Sequence, residues 1–202
     1  MADVLYVALQ DEDKIASFAI DPGTGGLTRK GDVAVAGGPS VMAQSPDGRV
    51  VYVGLRTRPA ISSFRVDPAT GALTQIGLLN NAASGGTHWI SSGDVVSIKD
   101  GGTYLTVKAQ NGNTDSRGDR IVEVDPKTCG LVRIIGATGM DDVLGLGYWG
   151  GVAYGFTLAG RLIQIDLMTG AGTVIPIPNA PSDLSFLGAG TTTVAPTTII
   201  FE

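Results

Sequence analysis

The chain has 202 residues, 16% of them charged, a formal net charge of −5, one histidine and one cysteine. The negative charge and the lack of a Lys/Arg cluster argue against nucleic-acid binding, because phosphate contacts need a concentrated basic face. The single cysteine excludes an intrachain disulfide. No apolar run reaches the about 18 residues of a membrane-spanning helix, and the length suffices for a full hydrophobic core.

The N-terminus bears on where the protein works. Residues 1–4 contain neither the basic region nor the apolar core of a secretory signal. The sequence therefore predicts a cytoplasmic protein, and the free thiol of Cys129 agrees with a reducing compartment. A mature secreted protein that has lost its leader would look the same.

Short apolar or alternating runs follow one another along the chain and predict β-strands. The first group has three, at 4–9, 15–20 and 27–35. The second has four, at 40–45, 49–55, 61–66 and 73–79. The third has four, at 95–98, 104–109, 120–124 and 131–136. The fourth has four, at 143–148, 152–156, 161–165 and 173–177.

One turn motif separates the last two strands of every group. Its copies stand at 20–27, 66–73, 124–131 and 165–172, and three of them contain Asp-Pro. The aspartate can accept a backbone N–H two residues further on, proline presets φ, and glycine supplies the positive φ of a chain reversal. Each copy therefore predicts a hairpin.

The spacing of these turns predicts the fold class. Their aspartates are separated by 46, 58 and 41 residues, and four-stranded units of about 40–50 residues are typical of β-propellers. We expect an all-β, single-domain propeller (1–202) of four antiparallel four-stranded blades. Residues 181–186 echo residues 38–42, which predicts a C-terminal strand that closes the N-terminal sheet. Five blades, or a ring shared by two chains, are the alternatives.

Several motifs of the first two units resemble one family. They are Leu5-Tyr6-Val7, Asp13-Lys14-Ile15 with Ile20-Asp21-Pro22, Gly37-Gly38-Pro39-Ser40, Ser45-Pro46-Asp47-Gly48-Arg49, Val51-Tyr52-Val53 and the run 61–73. Residues 4–79 thus resemble the lactonase family of seven-bladed propellers, which includes 6-phosphogluconolactonases. Residues 80–202 resemble a different propeller lineage with shorter blades. A divergent natural repeat, or a recombined or engineered chain, would explain the change near residue 80.

The resemblance directs attention to His88, because family members often carry a histidine in a comparable position facing the central channel. A histidine there can act as a general base or a substrate donor, whereas the structural interpretation is a loop residue beside an interfacial Trp89. Trp89 is itself a candidate for contact with a ligand. Arg56 and Arg58 follow a second strand on the same face. They can clamp a phosphate or carboxylate, although solvated loop arginines are the favoured interpretation.

Acidic residues form the remaining candidates. Asp115 ends the polar run 111–115, which faintly resembles a calcium loop. The twelfth position of that loop is Val122 rather than a glutamate, so we predict no metal site and no cofactor. Asp141 can join Asp115 in an acidic ligand-binding patch, and the turn preference of aspartate explains it equally well.

These residues leave two functions open. The sequence favours a non-catalytic or structural propeller scaffold or binding module. Such a module would bind a small molecule or a protein on its loop face. It would be a monomer or a strand-sharing dimer. The alternative is a lactone hydrolase of the 6-phosphogluconolactonase type. A lactonase needs a base, a cation that polarises the carbonyl and a substrate clamp, and only His88, Arg56 and Arg58 present themselves.

Overall fold

The computed structural model describes residues 3–57, 60–79, 88–110, 117–191, 196 and 198. Within them the chain forms fifteen β-strands in four antiparallel sheets, with one short 3-10 turn at Gln10–Glu12. In this part of the chain no helix is long and apolar enough to cross a membrane. The all-β propeller fold with four blades, predicted from the sequence, is confirmed.

Each sheet is one blade, and its strands pair in chain order. Blade 1 contains β1 (Val4–Leu9), β2 (Lys14–Ile20) and β3 (Leu27–Ala34). Blade 2 contains β4 (Pro39–Gln44), β5 (Val50–Leu55), β6 (Ala60–Val66) and β7 (Leu73–Leu78). Blade 3 contains β8 (Trp89–Ser97), β9 (Thr103–Ala109), β10 (Arg120–Val124) and β11 (Leu131–Ala137). Blade 4 contains β12 (Val143–Trp149), β13 (Val152–Thr157), β14 (Leu162–Ile165) and β15 (Gly172–Ile175).

The four predicted hairpin turns are confirmed, and their aspartates act as expected. Asp21 and Asp67 each accept the backbone N–H groups of the second and third residues that follow, at 2.8–2.9 Å. Asp125 and Asp166 accept the N–H of the second residue at 2.8 and 2.7 Å. These bonds satisfy the backbone where the sheet ladder stops.

The third turn departs from the others at one position. Gly25, Gly71 and Gly170 have φ between 70° and 81°, and Cys129 takes the equivalent place with φ 59°. Its side chain is buried, and the thiol donates to the carbonyl oxygen of Ile61 in blade 2 at 3.2 Å. Burial raises the pKa of the Cys129 thiol, so the group is a packing element in the described structure.

Successive blades are held together by three apolar clusters. Ile15 and Phe64 lie in the cluster between blades 1 and 2, and Tyr52 and Leu105 in the one between blades 2 and 3. The third joins blades 3 and 4 and includes Ile163. Full burial of such a side chain contributes about 1.5–3 kcal/mol, so blade-on-blade packing contributes substantially to stability.

The inner strand of every four-stranded blade contains a bulge near its start. The pairing register shifts between Pro39 and Met42 in β4, between Ser91 and Val95 in β8, and within 143–145 of β12. A bulge leaves residues outside the ladder and re-aims their side chains. The inner strands therefore present side chains to the propeller axis that regular pairing would not.

The predicted C-terminal closing strand is not formed in the described residues. Residues 181–186 adopt turns and irregular backbone, and β1 has β2 as its strand partner. The Phe186 N–H donates to the Thr157 carbonyl oxygen at 3.2 Å, and its ring meets Phe156 edge-on at 5.3 Å. These contacts hold the C-terminal segment against blade 4. The segment lies where the inner strand of a following blade would pack.

Candidate functional site

The inner strands surround a cleft at the axis of the propeller. A cavity of about 230 Å³ lies there between blades 2, 3 and 4 and the C-terminal segment. Its lining includes Met42 from β4, Asp94 and Val96 from β8, Leu146 from β12 and Ala189 from the C-terminal segment. We call it the central cleft.

Asp94 is the ionisable side chain in the lining of this cleft. It sits in the bulge of β8, directly after Gly93. A Cβ atom at Gly93 would overlap the Val143 carbonyl oxygen and lie 2.6 Å from the backbone of Leu144. The missing side chain thus lets β8 and β12 approach closely, and this packing fixes Asp94 at the axis.

The surroundings of Asp94 act on its pKa in opposite directions. Burial raises the pKa of the carboxyl above its usual value, because desolvation penalises the charged form. The Ala189 N–H donates to Oδ2 at 2.8 Å and the Leu146 N–H at 3.4 Å, and both bonds favour the carboxylate. The result is a carboxyl group with a raised pKa at a cavity wall, which is common for groups that transfer protons.

Arg56 supplies the positive charge that acts on Asp94, and this charge lowers the pKa of the carboxyl. The arginine follows β5 and is exposed. Its Nε donates to Ser40 Oγ at 3.1 Å, and its backbone N–H donates to the Gly38 carbonyl oxygen at 3.0 Å. The guanidinium is therefore held in place by Ser40, and its remaining N–H groups can bind an anion.

The other predicted site residues lie in different surroundings. His88 is exposed and directly precedes β8, and its carbonyl oxygen accepts the Gln110 N–H at 2.9 Å. Trp89 is only 4% exposed and belongs to the apolar cluster between blades 2 and 3, so its predicted contact with a ligand would need this packing to open. Arg58 and Asp115 lie outside the described residues.

Asp141 is exposed and lines a separate cavity of about 530 Å³ between blades 3 and 4, together with Asp142 and Arg161. Asp142 forms an ion pair with Lys108 at 3.2 Å. In the part of the chain that the structure describes, no three His, Cys, Asp or Glu side chains are grouped so that they can hold a metal ion. Of the predicted residues, Arg56 is the one whose charge acts on the central cleft, through Asp94. Asp141 belongs to another cavity.

Sequence reasoning did not select Asp94. The signal was present in the run Ser91-Ser92-Gly93-Asp94, which places a glycine and an acid between the apolar pairs 89–90 and 95–96. Glycine within a strand often marks a bulge or a close backbone approach. The backbone N–H groups that bind Asp94 come from blade 4 and the C-terminal segment, however, and no local pattern reveals them.

Comparisons with known proteins agree with the fold. The family model described as lactonase, 7-bladed β-propeller, matches residues 2–92. A putative 6-phosphogluconolactonase from Bacteroides uniformis has a TM-score of 0.60 and 19% identity over 85% of this chain and 50% of its own. Its counterpart from Bacteroides fragilis has a TM-score of 0.59 and 22% identity, with the same coverage of both chains.

A periplasmic gluconolactonase from Pseudomonas aeruginosa gives a TM-score of 0.60 at 19% identity, over 86% of this chain and 50% of its own. No curated protein matches the chain. The chain spans about half the length of these solved structures, and at such identities they show the fold alone. The N-terminal part of the chain, residues 2–92, thus resembles the seven-bladed lactonase propellers in sequence, and the described chain shares the propeller fold.

Proposed function

We propose that this chain contributes the hydrolytic site of a sugar-lactone hydrolase, with Asp94 as its proton-transferring group. The observation that carries the proposal is the Asp94 carboxyl, whose pKa is raised by burial at the wall of the central cleft. A general base or acid works best when its pKa lies near the operating pH. The comparisons support this function over the non-catalytic scaffold that the sequence favoured, because the matched family and the three solved structures are lactonase-type propellers.

Lactone hydrolysis makes clear demands on such a site. The Asp94 carboxylate takes a proton from water while the water oxygen attacks the lactone carbonyl carbon. The resulting oxyanion collapses, the bond between the carbonyl carbon and the ring oxygen breaks, and the protonated Asp94 returns its proton to the leaving alkoxide. Water is consumed and a hydroxy acid is formed, so one carboxyl group serves as base and then as acid.

Arg56 fits the role of an anion clamp near this carboxyl. Its side chain is exposed, anchored by Ser40, and close enough for its charge to act on Asp94. A guanidinium binds phosphate or carboxylate through paired N–H donors. A phosphorylated sugar lactone, the substrate class named for the two Bacteroides proteins, would use this charge, and an unphosphorylated lactone would not.

The test measures opening of 6-phosphogluconolactone and of gluconolactone by pH-stat titration. We expect the full chain to accelerate hydrolysis above buffer, and Asp94→Asn to lower kcat by about 100-fold or more, the usual contribution of a positioned acid or base. Arg56→Gln should raise KM for the phosphorylated lactone more than for the unphosphorylated one.

Asp142→Asn is the matched control, because this aspartate lines the other cavity and pairs with Lys108. Its rate should stay within about twofold of the wild type, as is usual away from a reacting centre. No acceleration of either lactone over buffer, or full activity in Asp94→Asn, would overturn the proposal and return the scaffold interpretation.

A further inference from the structure

Blades 1 and 2 are near copies of each other. The sequence of β1, VLYVAL, matches VVYVGL in β5, and KIASFAI in β2 matches AISSFRV in β6. Both pairs of strands lead into the same Asp-Pro turn. Equivalent residues can therefore be compared one by one between the two blades.

One face of blade 2 is fully covered by blade 1. It consists of alternating apolar residues with exposures of 0–6%, namely Val51, Val53, Leu55, Phe64 and Val66. Most of its packing partners come from the first blade and include Ile15, Tyr6 and Val33. This face is an interface between blades.

The equivalent face of blade 1 points away from blade 2. The Tyr6 hydroxyl donates to the Gly71 carbonyl oxygen at 2.6 Å, and Val4 contacts Gly71, so these residues face blade 2. Because side chains alternate along a strand, the opposite face carries the counterparts of the covered set, namely Leu5, Val7, Leu9, Phe18 and Ile20. These are partly exposed, Leu5 by 38%.

The inner edge of β1 is open in the described residues as well. The Ile20 N–H donates to the Asp3 carbonyl oxygen, and the regular antiparallel register continues from there to Leu9. In such a ladder alternate residues turn their N–H and C=O groups to opposite sides. Val4, Tyr6 and Ala8 thus direct their backbone groups to the side on which the corresponding strands of blades 2 and 3, β5 and β9, pair with the inner strands β4 and β8. Among the described residues, no strand pairs with β1 on that side.

Blade 4 offers the complementary surface. Tyr154 in β13 aligns with Tyr52 in β5, which is completely buried against blade 3, whereas Tyr154 is partly exposed. Next to it, segment 184–191 packs on blade 4 through Phe186 and Phe156 and through the close approach of Gly188 to Gly145. The inner strand of blade 4, β12, packs on the preceding blade in the same manner, through contacts with β8 and β9.

We propose that a second copy of this chain covers both faces. Blade 4 of one copy packs on blade 1 of the other, and segment 184–191 pairs with β1 to supply the missing inner strand. The contact is head-to-tail, so it closes only if its rotation completes a ring. The chain covers half the length of a solved lactonase-type structure. Two copies of four blades supply eight blades, a number within the range of known propellers. This inference does not rest on the hydrolase activity.

The first test is the native mass of the full chain by light scattering after size exclusion, at about 1–100 µM, the usual range for such interfaces. We expect twice the chain mass of 20.7 kDa. A monomer over the whole range would overturn the proposal, and so would open-ended larger assemblies, because the contact would then fail to close at two.

Variants locate the contact. Leu5→Asp places a charge on the blade 1 face and should weaken dimerisation by about 100-fold or more, the effect of losing about 2.8 kcal/mol at an interface. Met168→Asp is the matched control, because Met168 is 78% exposed in a turn of blade 4 away from both faces, and it should leave the dimer intact. A dimer unaffected by Leu5→Asp in a folded variant would contradict the assignment.

Amide hydrogen exchange on the wild type tests the strand pairing without any substitution. The amides of Val4, Tyr6 and Ala8 should be protected in the dimer, and protection should fall as the protein is diluted below its dissociation constant. Rapid exchange of these three amides in a sample of dimer mass would show that β1 is not the paired edge and would overturn the strand assignment.

Discussion

The same residue type serves two purposes in two regions of this propeller. On the turn face, defined by the hairpin aspartates Asp21, Asp67, Asp125 and Asp166, hydrogen bonds from the turn lower the pKa of three of the carboxyls, Asp21, Asp67 and Asp166. In the central cleft, burial raises the pKa of Asp94. The difference shows that environment, rather than residue type, separates a structural aspartate from a candidate for chemistry.

Gly93 positions Asp94, and its substitution is expected to have the largest effect on the central cleft. Gly93→Ala would force a Cβ atom into the backbone of Val143 and Leu144. We expect the free energy of unfolding to fall by about 3 kcal/mol or more, because neither strand can move without disturbing blade packing. Urea denaturation measures the change, and the lactone assay should show a parallel loss.

Gly31→Ala is the control for this substitution. Gly31 lies in β3, and a Cβ atom there would meet nothing within 4 Å. Its effect should stay below about 1 kcal/mol. Equal destabilisation by both alanines would mean that the close approach of β8 and β12 is unimportant.

The pH dependence of stability should have opposite signs in the two regions. Since the folded pKa of Asp94 is raised, its contribution to stability is present below the unfolded value of about 3.9 and is lost as the pH rises through the folded value. The stability of the wild type relative to Asp94→Asn should therefore fall between pH 4 and neutrality. Urea unfolding of both proteins across this range measures it, and a rise would contradict the raised pKa.

The smallest effect is expected at Asp67. Its folded pKa is lowered, so its contribution is present above about pH 3.9 and is lost as the pH falls through the folded value. Asp67→Asn should destabilise the protein slightly at pH 7 and not at all at the acidic end. The same urea titration checks this, and a difference that grows on acidification would refute it.

Local signals account for what the sequence predicted correctly. The turns at Asp21, Asp67, Asp125 and Asp166 depend on residues within one short stretch, so the hairpins and the number of blades followed from the sequence. The closing strand near Leu184 failed because the choice of partner is not local. Its similarity to residues 38–42 indicated an inner strand that pairs with blade 1. The segment instead packs on blade 4, through the contact between Phe186 and Phe156.

The candidate site was harder to predict for the same reason. Arg56 was selected because it follows a strand on the loop face, which is visible in the sequence. Asp94 owes its raised pKa to burial, and the backbone N–H groups that bind its carboxyl belong to Leu146 and Ala189, which are distant along the chain. The functions of His88, Arg58 and Asp115 stay predictions, and the latter two lie outside the described residues.

Cys129 has a practical consequence. Its sulfur is enclosed where the second and third sheets meet, with Ile61 of the neighbouring sheet as its hydrogen-bond acceptor. A thiol reagent can therefore reach it only when those two sheets separate. The rate of labelling, compared with that of a free thiol, would report how often the middle of the molecule opens, with no engineered label.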